Sequence, residues 1–395
     1  MSALFLLGRR TLLLGGLALA LPACVDPYLP DAIKTPPSYL VVDGYLSPVG
    51  ITTIKLSRTF AVASASVPPV ETKANVYIED EGGTRNFLRE SPNGTYTSSA
   101  LALAAGRKYR LHINTLGNKE YVSDYVPVKI TPPIDNLNWR PDADGLNIYL
   151  NTHDATGTTQ YYRWEYDETW EILPPYAPTV EYVNRVMRPI VVAYPTICWG
   201  NTRSTTVQLD KTTTLTQDVV SDFRLRRLPN PSELLYSRYS ILVQQHALTK
   251  DEYAYWELLR KNTESIGTLF DPQPAPLTGN VRCLSNPADL ALGFVSAHTL
   301  VERRLFIRRG ELPASWRSKS GYEACLPADT VALTSGGLNP MSPAEILAAN
   351  FSTPNYLPIN PYFSPFGSLL GYLAKGRDCV DCRTRGTAVK PSFWP

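Results

Sequence analysis

Two cysteines three positions apart, Cys379 and Cys382, form the tightest chemical motif in this chain of 395 residues. A Cys-x-x-Cys pair suits thiol–disulfide exchange or half of a zinc site. Redox work needs a thioredoxin-like βαβ surround, which the flanking sequence lacks. Zinc needs a second close pair of ligands, and Cys283 and Cys325 are too scattered to supply one. The expectation is therefore structural disulfides among Cys198, Cys283, Cys325, Cys379 and Cys382. An odd number leaves one thiol free or paired outside the chain, and the connectivity stays open. No metal site is assigned.

The other reactive side chains are spread out. His112, His153, His246 and His298 fall in four different segments and read as separate structural histidines. There is no Gly-x-Ser-x-Gly elbow, no His-Glu-x-x-His and no Walker loop. No catalytic or cofactor-binding residue is assigned, and the reading is of a protein that is not an enzyme. Asp142-Ala143-Asp144-Gly145 opens like a calcium loop but lacks the later ligands, so it reads as a turn. Tyr161, Tyr162, Trp164, Tyr166 and Trp170 could offer a ligand or partner their rings, although alternating aromatics on a strand more often face a core. Arg303, Arg304, Arg308 and Arg309 could gather an anion, but the plainer reading is the solvated end of an edge strand.

At the N-terminus, Arg9 and Arg10 precede an apolar run from Thr11 to Leu21. That run is about half the length a bilayer span needs, so it reads as a signal-peptide core. It ends in Leu21-Pro22-Ala23-Cys24, the pattern of a bacterial lipobox, with Pro22 an unusual choice. The expectation is cleavage after residue 23, a lipid on the Cys24 thiol, and a proline-rich tether over residues 24–37. The membrane is then met through the lipid anchor. Asp plus Glu number 36 against 38 Lys plus Arg, two of which leave with the signal peptide. That near-neutral balance gives no reason to expect a nucleic-acid partner.

These residues need elements to place them, and the elements are mainly β. Runs at 39–46, 52–57, 74–79, 94–97, 108–113 and 120–123, separated by Gly and Asn, predict an immunoglobulin-like or transthyretin-like sandwich over residues 38–132. Thr131-Pro132-Pro133-Ile134 reads as a linker. Residues 135–395 read as a second β-rich domain with a few short helices and a disulfide-braced C-terminus. In it, 146–150 and 161–166 are expected as facing strands and 174–206 as an irregular stretch. Strands are further expected at 239–245, 292–297 and 304–308. Thr249-Lys250-Asp251-Glu252 reads as a capping box opening a helix that Gly267 stops, and Ser342-Pro343-Ala344-Glu345 opens a second helix.

Several segments together resemble one family. They are the run from Tyr239 to Leu248 followed by Tyr253 and Trp256, then Phe270-Asp271-Pro272-Gln273-Pro274, Gly279-Asn280-Val281 and Leu292-Gly293-Phe294. The tail from Cys379 to Gly386 and the closing Lys390-Pro391-Ser392-Phe393-Trp394 complete the set, with Leu40-Val41-Val42-Asp43-Gly44 at its start. The order resembles the Bacteroidota lipoprotein family of domain of unknown function 4249. The resemblance implies an outer-membrane lipoprotein, often encoded beside a TonB-dependent transporter, and carries over no catalytic residues. Cell-surface lipoproteins of that phylum usually have an acidic run after the lipidated cysteine, and here Val25-Asp26-Pro27 supplies one acid. The function expected is a binding or accessory module of a TonB-dependent barrel in nutrient capture, facing the cell surface. The rivals are a surface adhesion or matrix lipoprotein and a hydrolase whose acids meet only in space.

Overall fold

Alternating apolar and polar positions bury one face of a strand, and the first part of the chain alternates repeatedly. The computed structural model describes residues 38–60, 67–264, 277, 279–334 and 339–395. Cys24, the signal peptide, the tether, Gly267 and the 270–274 segment lie outside the described residues. The first strands are β1 (Leu40–Tyr45), β2 (Val49–Arg58), β3 (Asn75–Asp80), β4 (Arg85–Ser91), β5 (Thr95–Ala102), β6 (Lys108–Asn114), β7 (Glu120–Ser123) and β8 (Val126–Lys129). Seven of them pair along one path, β7-β6-β3-β4-β5-β2-β1, and β8 pairs with β6 beside it. β4 belongs to both halves, pairing with β3 on one side and β5 on the other. The halves close over one core, with Leu40, Ile54 and Leu56 from one and Val76, Ile78 and Leu111 from the other.

The second half adds β9 (Ile134–Pro141), β10 (Gly145–His153), β11 (Tyr161–Ile172), β12 (Val180–Val183), β13 (Val186–Pro189), β14 (Cys198–Arg203), β15 (Gln208–Lys211), β16 (Val219–Pro229) and β17 (Arg238–Ala247). Helix α1 (Lys250–Glu264) follows, then β18 (Val281–Cys283), β19 (Ala291–Leu292), β20 (Ala297–His298) and β21 (Leu300–Arg308). A three-stranded sheet, β16-β10-β9, faces a sheet of order β14-β11-β17-β21 with β15 also on β11. Leu146, Ile148 and Leu150 of β10 meet Tyr162, Trp164 and Tyr166 of β11 in the core between them. The two segments therefore do face each other across a second sandwich.

Two features depart from the sequence reading. Residues 281–298 do not join the second domain. β18 pairs with β7, β19 runs parallel to β1 and β20 parallel to β8. Val281, Cys283, Ala291, Val295 and Ala297 are buried in the first core, so this returning segment covers sheet edges that would otherwise be open. The segment 292–297 is accordingly two short pairings and not one strand. The stretch 174–206 is not irregular either: β12 and β13 form a hairpin, and Cys198 opens β14. Its turn residues Asn184 and Arg185 both take positive φ, +54° and +64°, without the glycine that usually marks such a turn.

The chain ends in a smaller unit of β22 (Asp329–Ala332), α2 (Pro343–Phe351), β23 (Tyr356–Phe363), β24 (Leu369–Gly376) and the short α3 (Arg377–Val380). Val331, Ile346, Phe351, Tyr372 and Ala374 make its core, against which the β12–β13 hairpin packs. Ser342 and Glu345 form the full capping box at α2. Disulfides join Cys198 to Cys382 and Cys325 to Cys379, so the Cys-x-x-Cys pair is divided between two staples. Cys283 is free and buried in the first sandwich. Among the described residues no helix is long and apolar enough to cross a membrane.

Candidate functional site

Strand register brings together what the sequence separates. In the β11–β17 pairing Arg163 lies opposite His246 and Glu165 opposite Gln244. β17 ends at Ala247, and the chain turns directly into α1, which carries Glu252, Tyr255 and Trp256 to the same place. The returning segment adds Gly293, Phe294, Ser296 and His298, and β1 adds Asp43 and Tyr45. These residues line a cleft of about 690 Å³ between the two sandwiches.

Helix α1 explains part of the site. Thr249 Oγ1 caps the Glu252 amide at 3.2 Å, as the capping-box pattern anticipates. The Glu252 side chain turns inward: its Oε1 accepts from Ser296 Oγ at 2.9 Å and from Trp256 Nε1 at 3.4 Å. The pattern was therefore half right, and the acid it assigned to a cap is a buried group of the cleft.

From Glu252 a chain of hydrogen bonds runs through the wall. Ser296 Oγ meets His298 Nδ1 at 3.1 Å, and His298 Nε2 meets His246 Nδ1 at 2.8 Å. Tyr45 stacks on His298 with centroids 4.2 Å apart. Glu252, Ser296, His298 and His246 are all at most 3% exposed. Both ends of the chain are open, since Glu252 Oε2 and His246 Nε2 have no protein partner. Burial raises the Glu252 carboxyl to about 7, against the lowering pull of Arg163, Ser296 and Trp256. Burial lowers His298 to about 3, helped by the Arg163 charge. Burial, with Arg163, His298 and Arg203 adding to it, holds His246 well below the ordinary imidazole range.

Both imidazoles are thus neutral, and two hydrogen arrangements satisfy every link. With Glu252 ionised, each hydrogen points towards the carboxylate and His246 Nε2 is an acceptor. With Glu252 protonated, each points away from it and His246 Nε2 is a donor. A proton on Glu252 Oε1, the oxygen that meets Ser296, would reverse the whole chain.

Next to this chain sits a charged triad. Arg163 and Arg203 both pair with Glu165. Burial alone would raise the Glu165 carboxyl, but the two guanidiniums outweigh it and hold it below the usual range. Arg163 is 8% exposed, lies 4.2 Å over the Trp256 ring, and its Nε has no protein partner. Tyr255 and Phe294 contact each other at 5.6 Å on the same wall. The cleft can therefore offer hydrogen bonds of both senses beside aromatic faces.

Apart from His246 and His298, the residues singled out in the sequence lie elsewhere. Tyr162, Trp164 and Tyr166 are buried and so are core side chains, not a platform for a partner. Their polar ends are used internally, Tyr162 donating to Asp218 at 2.8 Å and Trp164 to Gln245 at 2.8 Å. Tyr161 packs on Tyr253, and Trp170 lines a small recess with Glu171 and Arg385. Asp142 is a turn residue that accepts from Asp144, Asn147 and Arg227. Among the described residues no group of three His, Cys, Asp or Glu side chains is placed to hold a metal. Arg303, Arg304 and Arg308 do belong to a sheet-edge strand, β21, and Arg309 to the turn after it; Arg303 bonds the Ile134 carbonyl, Arg304 lies over Phe393, and Arg309 bonds the Trp316 carbonyl. His112 bonds Glu79 at 2.9 Å and His153 bonds Asp135 at 2.7 Å, and neither histidine lines the cleft. Sequence reasoning saw His246, Glu252 and His298 only singly. The signal that could have paired them was the polar content of buried runs such as Gln244-Gln245-His246.

Fold and cleft define a mainly β protein of two sandwiches with a ligand-sized recess at their junction, a common place for a binding site. The chain belongs to the family described as Domain of unknown function (DUF4249), whose model matches residues 25–304. Every residue of the cleft falls inside that span. No curated protein matches the chain. Among solved structures, "Biofilm associated protein - BSP domain" aligns at 9% identity over 90% of this chain and 79% of that chain, with a TM-score of 0.14, too low to support any argument.

Proposed function

We propose that this protein is an outer-membrane lipoprotein, anchored through Cys24, that captures a small ligand in the cleft between its sandwiches and delivers it to a TonB-dependent barrel. The observation that carries this reading is the cleft itself. It has the size of small-molecule sites, and it is built from both sandwiches and the helix between them. The lipobox supports the anchor, and the resemblance of the chain's motifs to a lipoprotein family supports the transporter. A further feature fits a protein that works against a partner. Tyr362, Phe363, Phe366, Leu369 and Leu370 are all exposed at the β23–β24 hairpin, Phe366 at 96%. Residues 356–374 contain no charged side chain. A cluster of this kind suits a docking contact with the barrel.

The test is a detergent pull-down of the tagged, lipidated protein from its native membrane, with mass spectrometry of what accompanies it. One TonB-dependent barrel in near-equal amount, lost when Phe366→Ser is introduced, is the expected result. Recovery of the protein alone would remove the transporter and move the reading to an adhesin or a free-standing binding protein. Cys24→Ala should abolish labelled fatty-acid incorporation; labelling that persists would refute the anchor.

A further inference from the structure

The cleft wall concentrates unused hydrogen-bonding capacity. Buried polar atoms are almost always paired, because leaving one unpaired costs about 1–3 kcal/mol. Here Arg163 Nε, His246 Nε2 and Glu252 Oε2 are all without a protein partner, on three side chains that are each more than nine-tenths buried and all line the same cleft. The three atoms differ in sense. Arg163 Nε only donates, an ionised Glu252 only accepts, and His246 Nε2 accepts or donates according to the direction of its chain.

The charges narrow the choice of ligand. Glu165 is shared between Arg163 and Arg203, and exposed Asp43 of β1 also lines the cleft. Arg163 and Arg203 thus cancel against Glu165 and Asp43, so an anionic ligand would find no unspent cation within the cleft. A hydroxyl group meets every requirement. It accepts from Arg163, donates to Glu252, and can follow His246 Nε2 in either state by rotating one bond. The rings of Tyr255, Trp256 and Phe294 add flat apolar faces of the kind that the C–H face of a sugar ring covers.

We propose that the cleft binds an uncharged polyhydroxylated ligand, a mono- or disaccharide, with its ring on the Tyr255–Trp256–Phe294 wall and its hydroxyls on Arg163, His246 and Glu252. The assignment rests on the cleft being the binding site and is independent of the transporter. The three atoms are themselves buried, so binding requires Arg163 and Tyr45, which lie over Trp256 and His298, to turn aside.

Calorimetric titration of the whole chain separates the outcomes, with three probe sets: neutral sugars (glucose, galactose, mannose, N-acetylglucosamine, maltose, cellobiose), zwitterionic dipeptides, and inorganic phosphate with citrate. The expected result is saturable binding of at least one neutral sugar, weakened about tenfold or more by Trp256→Ala and by Glu252→Gln. Arg203→Ala, at an exposed position, keeps the test open if either buried variant fails to fold, and it should weaken the same sugar. Binding of a dipeptide or anion that is sensitive to these variants, without sugar binding, would overturn the ligand class and leave the cleft as the site. Sugar binding indifferent to all three variants would overturn both, as would no binding by any probe.

Discussion

At the scale of single residues, the structure assigns roles that the sequence could state only as types. His246 and His298 stand 52 positions apart, and nothing in the spacing pairs them. They meet because β17 and the returning segment converge beside α1. Glu252 is the clearest case: its local pattern, Thr-x-x-Glu, correctly marks a helix start, yet the tertiary surround takes the carboxylate inward. The consequence can be measured. Burial lifts the Glu252 carboxyl from its ordinary 4.5 to about 7, so the folded state holds a proton that the unfolded state releases. That contribution to stability is complete below about pH 4.5 and is lost as pH rises through 7. The histidines act in the opposite sense. His298 falls from 6.5 to about 3, so its contribution is complete above pH 6.5 and is lost as pH drops. Glu252→Gln removes the alkaline loss alone. Relative to the parent, its unfolding free energy should rise by about 2 kcal/mol between pH 5 and 8 in denaturant titrations. In nitrogen-15 spectra of the imidazoles, His246 and His298 should exchange tautomers together near neutral pH in the parent and keep one pattern in the variant. A parent whose two imidazoles never change tautomer would remove the reversible chain.

At the scale of elements, the strands were mostly legible because period-two alternation reports burial directly. Short pairings were not, because two residues carry no period. β19 is such a case, and a glycine sets its position. Gly293 has φ of +116°, and a Cβ there would lie 2.0 Å from the Val42 carbonyl oxygen. The close approach lets the returning segment lie against β1, and the same glycine lines the cleft. Gly293→Ala should therefore cost about 2 kcal/mol or more. Amide exchange should quicken first in β1 and β19 while β9–β17 stay protected, and uniform loss of protection would contradict this local account. The disulfides are a second element-scale matter. The sequence favoured staples over a redox site but left the pairing open, since pairing depends on where β14 and the tail meet. Cys325 and Cys379 close a loop of 54 residues around the C-terminal unit. Replacing both by Ser should lower the stability of that unit by about 2–4 kcal/mol and leave the melting of the sandwiches unchanged. With a mild reductant present to free the thiols, neither cysteine should be alkylated until the chain is denatured, because both are buried.

At the scale of the whole molecule, a boundary near residue 132 looks natural in the sequence because Pro132-Pro133 follows a completed set of strands. The three-dimensional boundary is different, because the first core is finished by residues that follow α1. Val281, Cys283, Ala291, Val295 and Ala297 contribute to that core, and Leu46 exchanges backbone hydrogen bonds with Ser296 and His298. The seam is tied from the other side as well. Thr131 bonds Thr299 and Ala247, and Gln245 bonds the Pro132 carbonyl, so the stretch that reads as a linker is fixed in place. The two sandwiches thus share the segment that also forms part of the cleft. A fragment of residues 38–132 would lack one neighbour for β1 and one for β7 and would expose apolar surface that residues 281–298 cover. It should aggregate or give no cooperative melt by circular dichroism. A fragment of residues 38–308 retains every one of these contacts and should melt in a single transition, because neither sandwich can open without disrupting the segment they share. Independent folding of 38–132 with the stability of the first sandwich in the full chain would show that the returning segment is an accessory to that core and not part of it.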